Sequence, residues 1–182
     1  IGKSTLLKGI LGLKNISSGE IKKNFKICGY MSQEVLLKKE FPSTIWEFVL
    51  SSRAVYSKFF YSSKDIAVVK ENLKKLDLWE IKDKSISSLS IGQRQRVLLC
   101  RCLCVSEKII FLDEPTNSLD INVRKMLYDI LEKLNKEGLT IVMISHDEEA
   151  FKYSNRALVL GKENIVIENV LEKYEKGEIN FD

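Results

Sequence analysis

Residues 109–112, Ile-Ile-Phe-Leu, form an unbroken apolar run that ends in two carboxylates, Asp113 and Glu114. A short run without alternation suits a strand covered on both faces, which is the environment of a parallel sheet. Parallel strands need a crossover between them, and one follows at once. Met126, Leu127, Ile130, Leu131 and Leu134 make one apolar stripe along 121–136, Gly138 marks its end, and 140–144 is a second apolar run. Strand, helix and buried strand in that order predict an α/β fold.

The remaining pattern extends this reading. Leu6, Leu7, Ile10 and Leu11 predict a helix over 3–13, Ser17, Ser18 and Gly19 a turn, and 27–32 a short strand. Thr44 with Glu47, and Ser62 with Asp65, have capping-box spacing, and Ile66, Val69, Leu73 and Leu76 would share one face of a helix. These place a helical subdomain over 43–88, followed by a helix over 89–105. Residues 156–160 and 165–168 flank Gly161 as a hairpin, and a polar helical tail closes the chain. With 182 residues and 45% hydrophobic content, a single domain over 1–182 is the expectation.

Composition excludes several classes. The 29 basic and 25 acidic residues leave +4, with both signs interspersed, so no nucleic-acid footprint is expected. No apolar stretch reaches the roughly 20 residues needed to span a bilayer, and no signal peptide is recognisable, which leads to a cytoplasmic expectation. Cys100, Cys102 and Cys104 fall on one predicted helix, and with Cys28 they match no zinc spacing; a buried hydrophobic role is expected of them.

Four groups of residues carry candidate chemistry. Gly2, Lys3, Ser4 and Thr5 match the end of a phosphate-binding loop, in which amides cradle phosphates, Lys reaches the β and γ oxygens and a hydroxyl ligates magnesium. An accidental polar helix start is the bland alternative. Asp113 closes a buried strand, where such enzymes hold magnesium, and Glu114 is the candidate base for an attacking water. His146, the sole histidine, follows the second apolar strand and is a candidate γ-phosphate contact. Ser90, Ile91, Gly92 and Gln93 open a helix either as a plain capping box or as an anion site; spacing does not choose.

Taken in order, Gly-Lys-Ser-Thr at 2–5, Gln33, Leu-Ser-Ile-Gly-Gln at 89–93, Ile-Phe-Leu-Asp-Glu-Pro at 110–115, Ser-Leu-Asp at 118–120 and Ser-His-Asp at 145–147 resemble the ABC ATPase family across essentially the whole chain. The resemblance implies a P-loop NTPase-like, largely parallel sheet flanked by helices, with an inserted helical subdomain and its front strands missing. The chain starts at Ile1 without Met, so a truncated start and poor ATP binding by the chain as written are expected.

It further implies that Lys3 and Ser4 bind phosphate and Mg2+, Asp113 supports the metal, Glu114 polarises water and Gln33 senses the γ-phosphate and metal. His146 resembles the switch histidine and Asp120 the residue that communicates across a dimer. Ser90, Gly92 and Gln93 resemble the signature that grips ATP bound to the other copy of a homodimer. Ile91 stands where the family has a second glycine, and a β-branched residue would resist a positive φ there.

Residues 41–50 and 71–73 look like the helical region of ATPases serving zinc and manganese importers, which implies integral membrane permease partners and a place at the cytoplasmic face of the membrane. A soluble ABC ATPase without a transport role, and a nucleotide-dependent regulator without hydrolysis, are the alternatives.

Overall fold

The computed structural model describes residues 2–32, 42–56, 60–160 and 164–176. They fall into two compact units, one made of 1–24 with 144–182 and the other of 25–143.

In the second unit a three-stranded sheet has the order β1 (Gly29–Met31), β2 (Ile109–Asp113), β3 (Thr140–Ile144), the last residue of β3 belonging to the first unit. β1 and β2 are parallel, with Gly29, Tyr30 and Met31 beside Ile110, Phe111 and Leu112. The apolar run is buried as expected, with Ile110 and Leu112 at 0% and 1% exposure. β3 departs from its reading as a buried strand. Thr140 and Val142 are exposed and their neighbours half-buried, because side chains alternate between faces and only one face of this strand is covered. The helix between these strands, α5 (Ile121–Lys136), has its predicted bounds and buries Leu127, Tyr128, Leu131 and Leu134.

The helical region holds α2 (Ile45–Leu50), a 3-10 turn at Ser51–Val55 and α3 (Ser63–Lys75), leading to α4 (Ile91–Val105). Both predicted capping boxes close. Thr44 Oγ1 accepts from Glu47 N at 3.2 Å while Thr44 N donates to Glu47 Oε2 at 2.8 Å, and Ser62 and Asp65 repeat the exchange at 3.2 and 2.9 Å. The end of α3 is a Schellman turn: Asp77 takes φ 55°, Leu78 N donates to Leu73 O, and both leucines are fully buried. Ile66, expected on the buried stripe, is 44% exposed. Asp65 takes the inward position instead, because its Oδ1 receives Arg53 Nε at 2.8 Å.

Arg53 ties three segments together: it also donates to Cys104 O at the end of α4 and lies 4.1 Å over the Tyr56 ring. Hydrogen bonds from the Ser62 hydroxyl and amide, and then from Arg53, hold the Asp65 carboxyl down from its ordinary 3.8 to about 2. A carboxyl depressed in the folded state contributes stability above its unfolded pKa and loses it as pH falls through the folded one. Acid unfolding between about pH 4 and about pH 2 should therefore steepen through Asp65. Asp65→Asn is expected to be less stable at neutral pH and flatter across that window in denaturant melts; equal slopes for both proteins would remove Asp65 as the titrating group.

Cys100, Cys102 and Cys104 are buried in α4. Residues four apart share a helix face, so Cys100 meets Cys104, whose hydrogen bond together with burial raises its thiol well above the usual range; burial pushes Cys102 up to about 12. The Cys100 and Cys102 thiols therefore stay protonated at neutral pH, and all three buried side chains serve as small hydrophobes.

The first unit contains α1 (Lys3–Leu11), the antiparallel hairpin of β4 (Arg156–Val159) and β5 (Ile165–Glu168), and α6 (Val170–Glu175). Arg156 and Glu168 are directly opposite and ion-paired at 2.8 Å, while Phe151 stacks on Tyr174 with ring centroids 6.3 Å apart. Among the described residues no helix is long and apolar enough to cross a membrane.

Candidate functional site

Gly2 caps α1 with φ 82° and ψ −5°, the left-handed region that favours glycine. Its carbonyl starts the helix by accepting from Leu6 N at 2.8 Å. The amides of the first turn have no acceptor within the helix, and no acidic side chain stands in that turn to compete for an anion. Lys3 and Ser4 are half-buried and Thr5 is exposed.

The Lys3 ammonium reaches His146 Nδ1 at 3.0 Å, bringing together two predicted site residues 143 positions apart in the chain. An ammonium only donates, so Nδ1 is the accepting nitrogen and the neutral ring carries its proton on Nε2. His146 is held just beyond β3 by a short turn: Asp147 N donates to Ser145 Oγ at 2.9 Å, and Asp147 Oδ1 accepts from Glu149 N at 3.0 Å. Cation, helix amides and a ring N–H make an anion-binding group.

In the other unit, β2 delivers Asp113 at 2% exposure and the chain then turns sharply. Glu114 takes φ 52°, a left-handed conformation that costs a non-glycine residue about 1–2 kcal/mol and concentrates at functional sites. The turn is closed by Asn117, whose amide N donates to Glu114 O at 3.2 Å and whose Nδ2 approaches Glu114 Oε2 at 3.4 Å. Asn117 escaped the sequence reading; the polar Thr-Asn-Ser after Pro115 was its only signal. Strand-end divergence separates the two carboxylates, Asp113 into the protein and Glu114 half-exposed.

Ser90 and Gln93 close the capping box of α4, Ser90 Oγ accepting from Gln93 N at 3.2 Å and Ser90 N donating to Gln93 Oε1 at 3.0 Å. The hydroxyl keeps its O–H to donate, so the cap and an anion contact are compatible. Ile91 is the first residue of α4 and is 60% exposed. It is absent from the positive-φ positions among the described residues, so the resistance expected of a β-branched side chain does not arise. Gly92 is buried against α5, where a Cβ would come 3.2 Å from Val123 Cγ1. Asp120 caps α5, its Oδ1 accepting from the amides of Asn122 and Val123 at 3.0 Å each. Gln33 lies outside the described residues. Lys3, Ser4, Thr5 and His146 thus belong to one compact unit, and Ser90, Gly92, Gln93, Asp113, Glu114 and Asp120 to the other.

Comparison with known proteins identifies the family. A family model described as ABC transporter matches residues 1–117. The chain is 31% identical over 182 residues to the manganese transport system ATP-binding protein MntB of Halalkalibacterium halodurans, covering 95% of this chain and 73% of that protein. It is 32% identical over 157 residues to the high-affinity zinc uptake system ATP-binding protein ZnuC of Bacillus subtilis, covering 80% and 68%. With the manganese transport system ATP-binding protein MntA of Synechocystis the match spans only 60% of the relative's length, so the chain corresponds to part of these proteins. An inward-facing metal-chelate type ABC transporter superposes with a TM-score of 0.79 at 28% identity, over 92% of this chain and 68% of that one.

Proposed function

Since the chain belongs to the ABC transporter family, we propose that it binds and hydrolyses ATP to power import of a divalent transition metal, zinc or manganese, working as a homodimer with integral membrane permease subunits at the cytoplasmic face. The metal assignment draws on the named functions of the relatives above. The observation that carries the ATPase reading is the 3.0 Å contact between Lys3 Nζ and His146 Nδ1. It joins a phosphate-binding cation to an imidazole whose Nε2–H is a donor.

In this reading the Lys3 ammonium, with Gly2, Ser4 and Thr5 and the first-turn amides of α1, takes the β and γ phosphate oxygens. The arriving γ-phosphate competes with His146 for the ammonium, and the ring N–H then donates to the same phosphate. Glu114 orients the attacking water, and Gln33 senses the γ-phosphate. Ser90, Gly92 and Gln93 grip ATP held by the second copy, to which Asp120 relays closure. The hydroxyl of Ser4, the amide oxygen of Gln33 and the buried carboxylate of Asp113 are hard oxygen donors that suit Mg2+. When bound, that ion neutralises phosphate charge.

The test is Mg2+-dependent phosphate release from ATP by the full-length protein and its Lys3→Ala variant. Turnover is expected to need Mg2+ and to fall by about 10²-fold or more in the variant, the scale of losing a positioned charge at a phosphoryl group. Hydrolysis indifferent to Lys3→Ala would sink the reading.

A further inference from the structure

Both tryptophans of the sequence, Trp46 and Trp79, meet edge to face at the surface of the helical region, with ring centroids 6.2 Å apart. Trp46 lies in α2 and Trp79 opens a 3-10 turn, Trp79–Ile81; the Trp46 amide ties the two segments by donating to Lys82 O at 2.9 Å. Three ammonium groups surround the half-buried Trp79: the Nζ atoms of Lys70, Lys74 and Lys82 are 5.4, 5.8 and 5.1 Å from its centroid. Lys82 is neutralised by Asp83 at 2.5 Å, and the neighbouring Lys75 by Glu137. Among the described residues no carboxylate forms an ion pair with Lys70 or Lys74. Ile66, Lys70 and Lys74 are spaced four apart, so they form one row along α3, and all three are exposed. Like charges at that spacing repel, and one indole holds both of them.

We infer that this face rests on an anionic phospholipid surface, Lys70 and Lys74 pairing with headgroup phosphates while Trp79 and Ile66 enter the boundary between headgroups and acyl chains. An indole settles at that depth because one end is apolar and the other polar, and a lysine stem lies along the apolar layer while its ammonium stays among phosphates. Each lysine near such a surface adds attraction to anionic lipid. The exposed side of a helix is convex and offers an acidic peptide no groove, and Ile66 has no role against a nucleic-acid backbone. The inference goes beyond the permease contact proposed above, since it puts a lipid contact on this chain itself and needs no nucleotide.

The experiment sediments the full-length protein, without its membrane partners, with phosphatidylglycerol vesicles and with phosphatidylcholine vesicles. The unmodified protein is expected to bind the first and not the second, and to be released as NaCl approaches about 1 M, where the screening length falls to about 3 Å. Replacing both Lys70→Gln and Lys74→Gln should raise the apparent Kd about 30-fold, about fivefold for each lysine, and Lys70→Arg with Lys74→Arg should restore it. Lys125→Gln with Lys133→Gln, exposed positions on α5, removes the same charge elsewhere and should change the Kd far less. Thermal melts confirm that each variant is folded, and the comparison of the two lipids needs no variant.

The emission lost in Trp79→Phe isolates that ring, and it should move to the blue on phosphatidylglycerol but stay in place with inorganic phosphate. Equal binding to both lipids, no binding to either, an equal loss in the α5 pair or an unmoved Trp79 emission overturns the proposal. So does capture by poly-glutamate in place of vesicles, which would make the face a site for an acidic protein.

Discussion

In the full-length protein Glu114→Gln is expected to lower ATP turnover by about 10²–10⁴-fold, the usual contribution of a positioned base, while ATP-driven dimerisation persists. The substitution isolates the charge. Gln has the shape of Glu and retains an oxygen for Asn117 Nδ2, so the turn that holds residue 114 at φ 52° keeps its closing contacts. Phosphate release in steady state measures the first effect, and light scattering with and without ATP the second. Turnover unaltered by the change would remove Glu114 from the chemistry and turn attention to another base. Loss of dimerisation alongside turnover would mean that the carboxylate shapes the interface.

Gly29→Ala should be the most damaging change to the fold. A Cβ at this position would stand 2.4 Å from the Cys102 carbonyl oxygen and 2.8 and 2.9 Å from the next two atoms of that backbone. All three belong to a helix whose Leu98, Leu99, Cys102 and Leu103 are buried, so α4 cannot give way as a flexible side chain would. Overpacking of a core costs about 1–3 kcal/mol and occasionally more; with backbone on both sides of the clash, about 3 kcal/mol is expected. That is a large share of the roughly 5–15 kcal/mol by which domains are stable. In urea, with a slope of about 1–3 kcal/mol/M, the unfolding midpoint should drop by about 1–3 M. An unchanged midpoint would show that β1 can separate from α4 at little cost.

Local signals read well. The capping boxes at Thr44, Ser62 and Ser90 closed as spaced, and α5 and β3 have their predicted bounds, because each depends on residues within four or five positions of one another. Features that need a distant partner read poorly. Ile66 was placed inward from periodicity, yet Asp65 holds that position because Arg53, twelve residues earlier, needs a buried acceptor. The exposure of Val142 could not be taken from Thr-Ile-Val-Met-Ile, since an apolar run does not say how many of its faces are covered. The strain anticipated at Ile91 vanished for a simpler reason: the helix begins at that residue and asks only for an ordinary helical backbone.

By itself the amino-acid sequence determined the element order, the caps and the succession of motifs that places the chain in its family. Those follow from short-range hydrogen bonding and the 2.0 and 3.6 residue periods, which each segment carries wherever it ends up. Tertiary structure alone decided that Lys3 meets His146, that β1 crosses α4 where position 29 has no room for a side chain, that Glu114 sits left-handed behind Asn117, and that the Arg101 guanidinium lies over the Phe48 ring. Contacts between residues far apart are selected by how whole elements pack, and packing depends on shape in three dimensions, which no window of sequence contains.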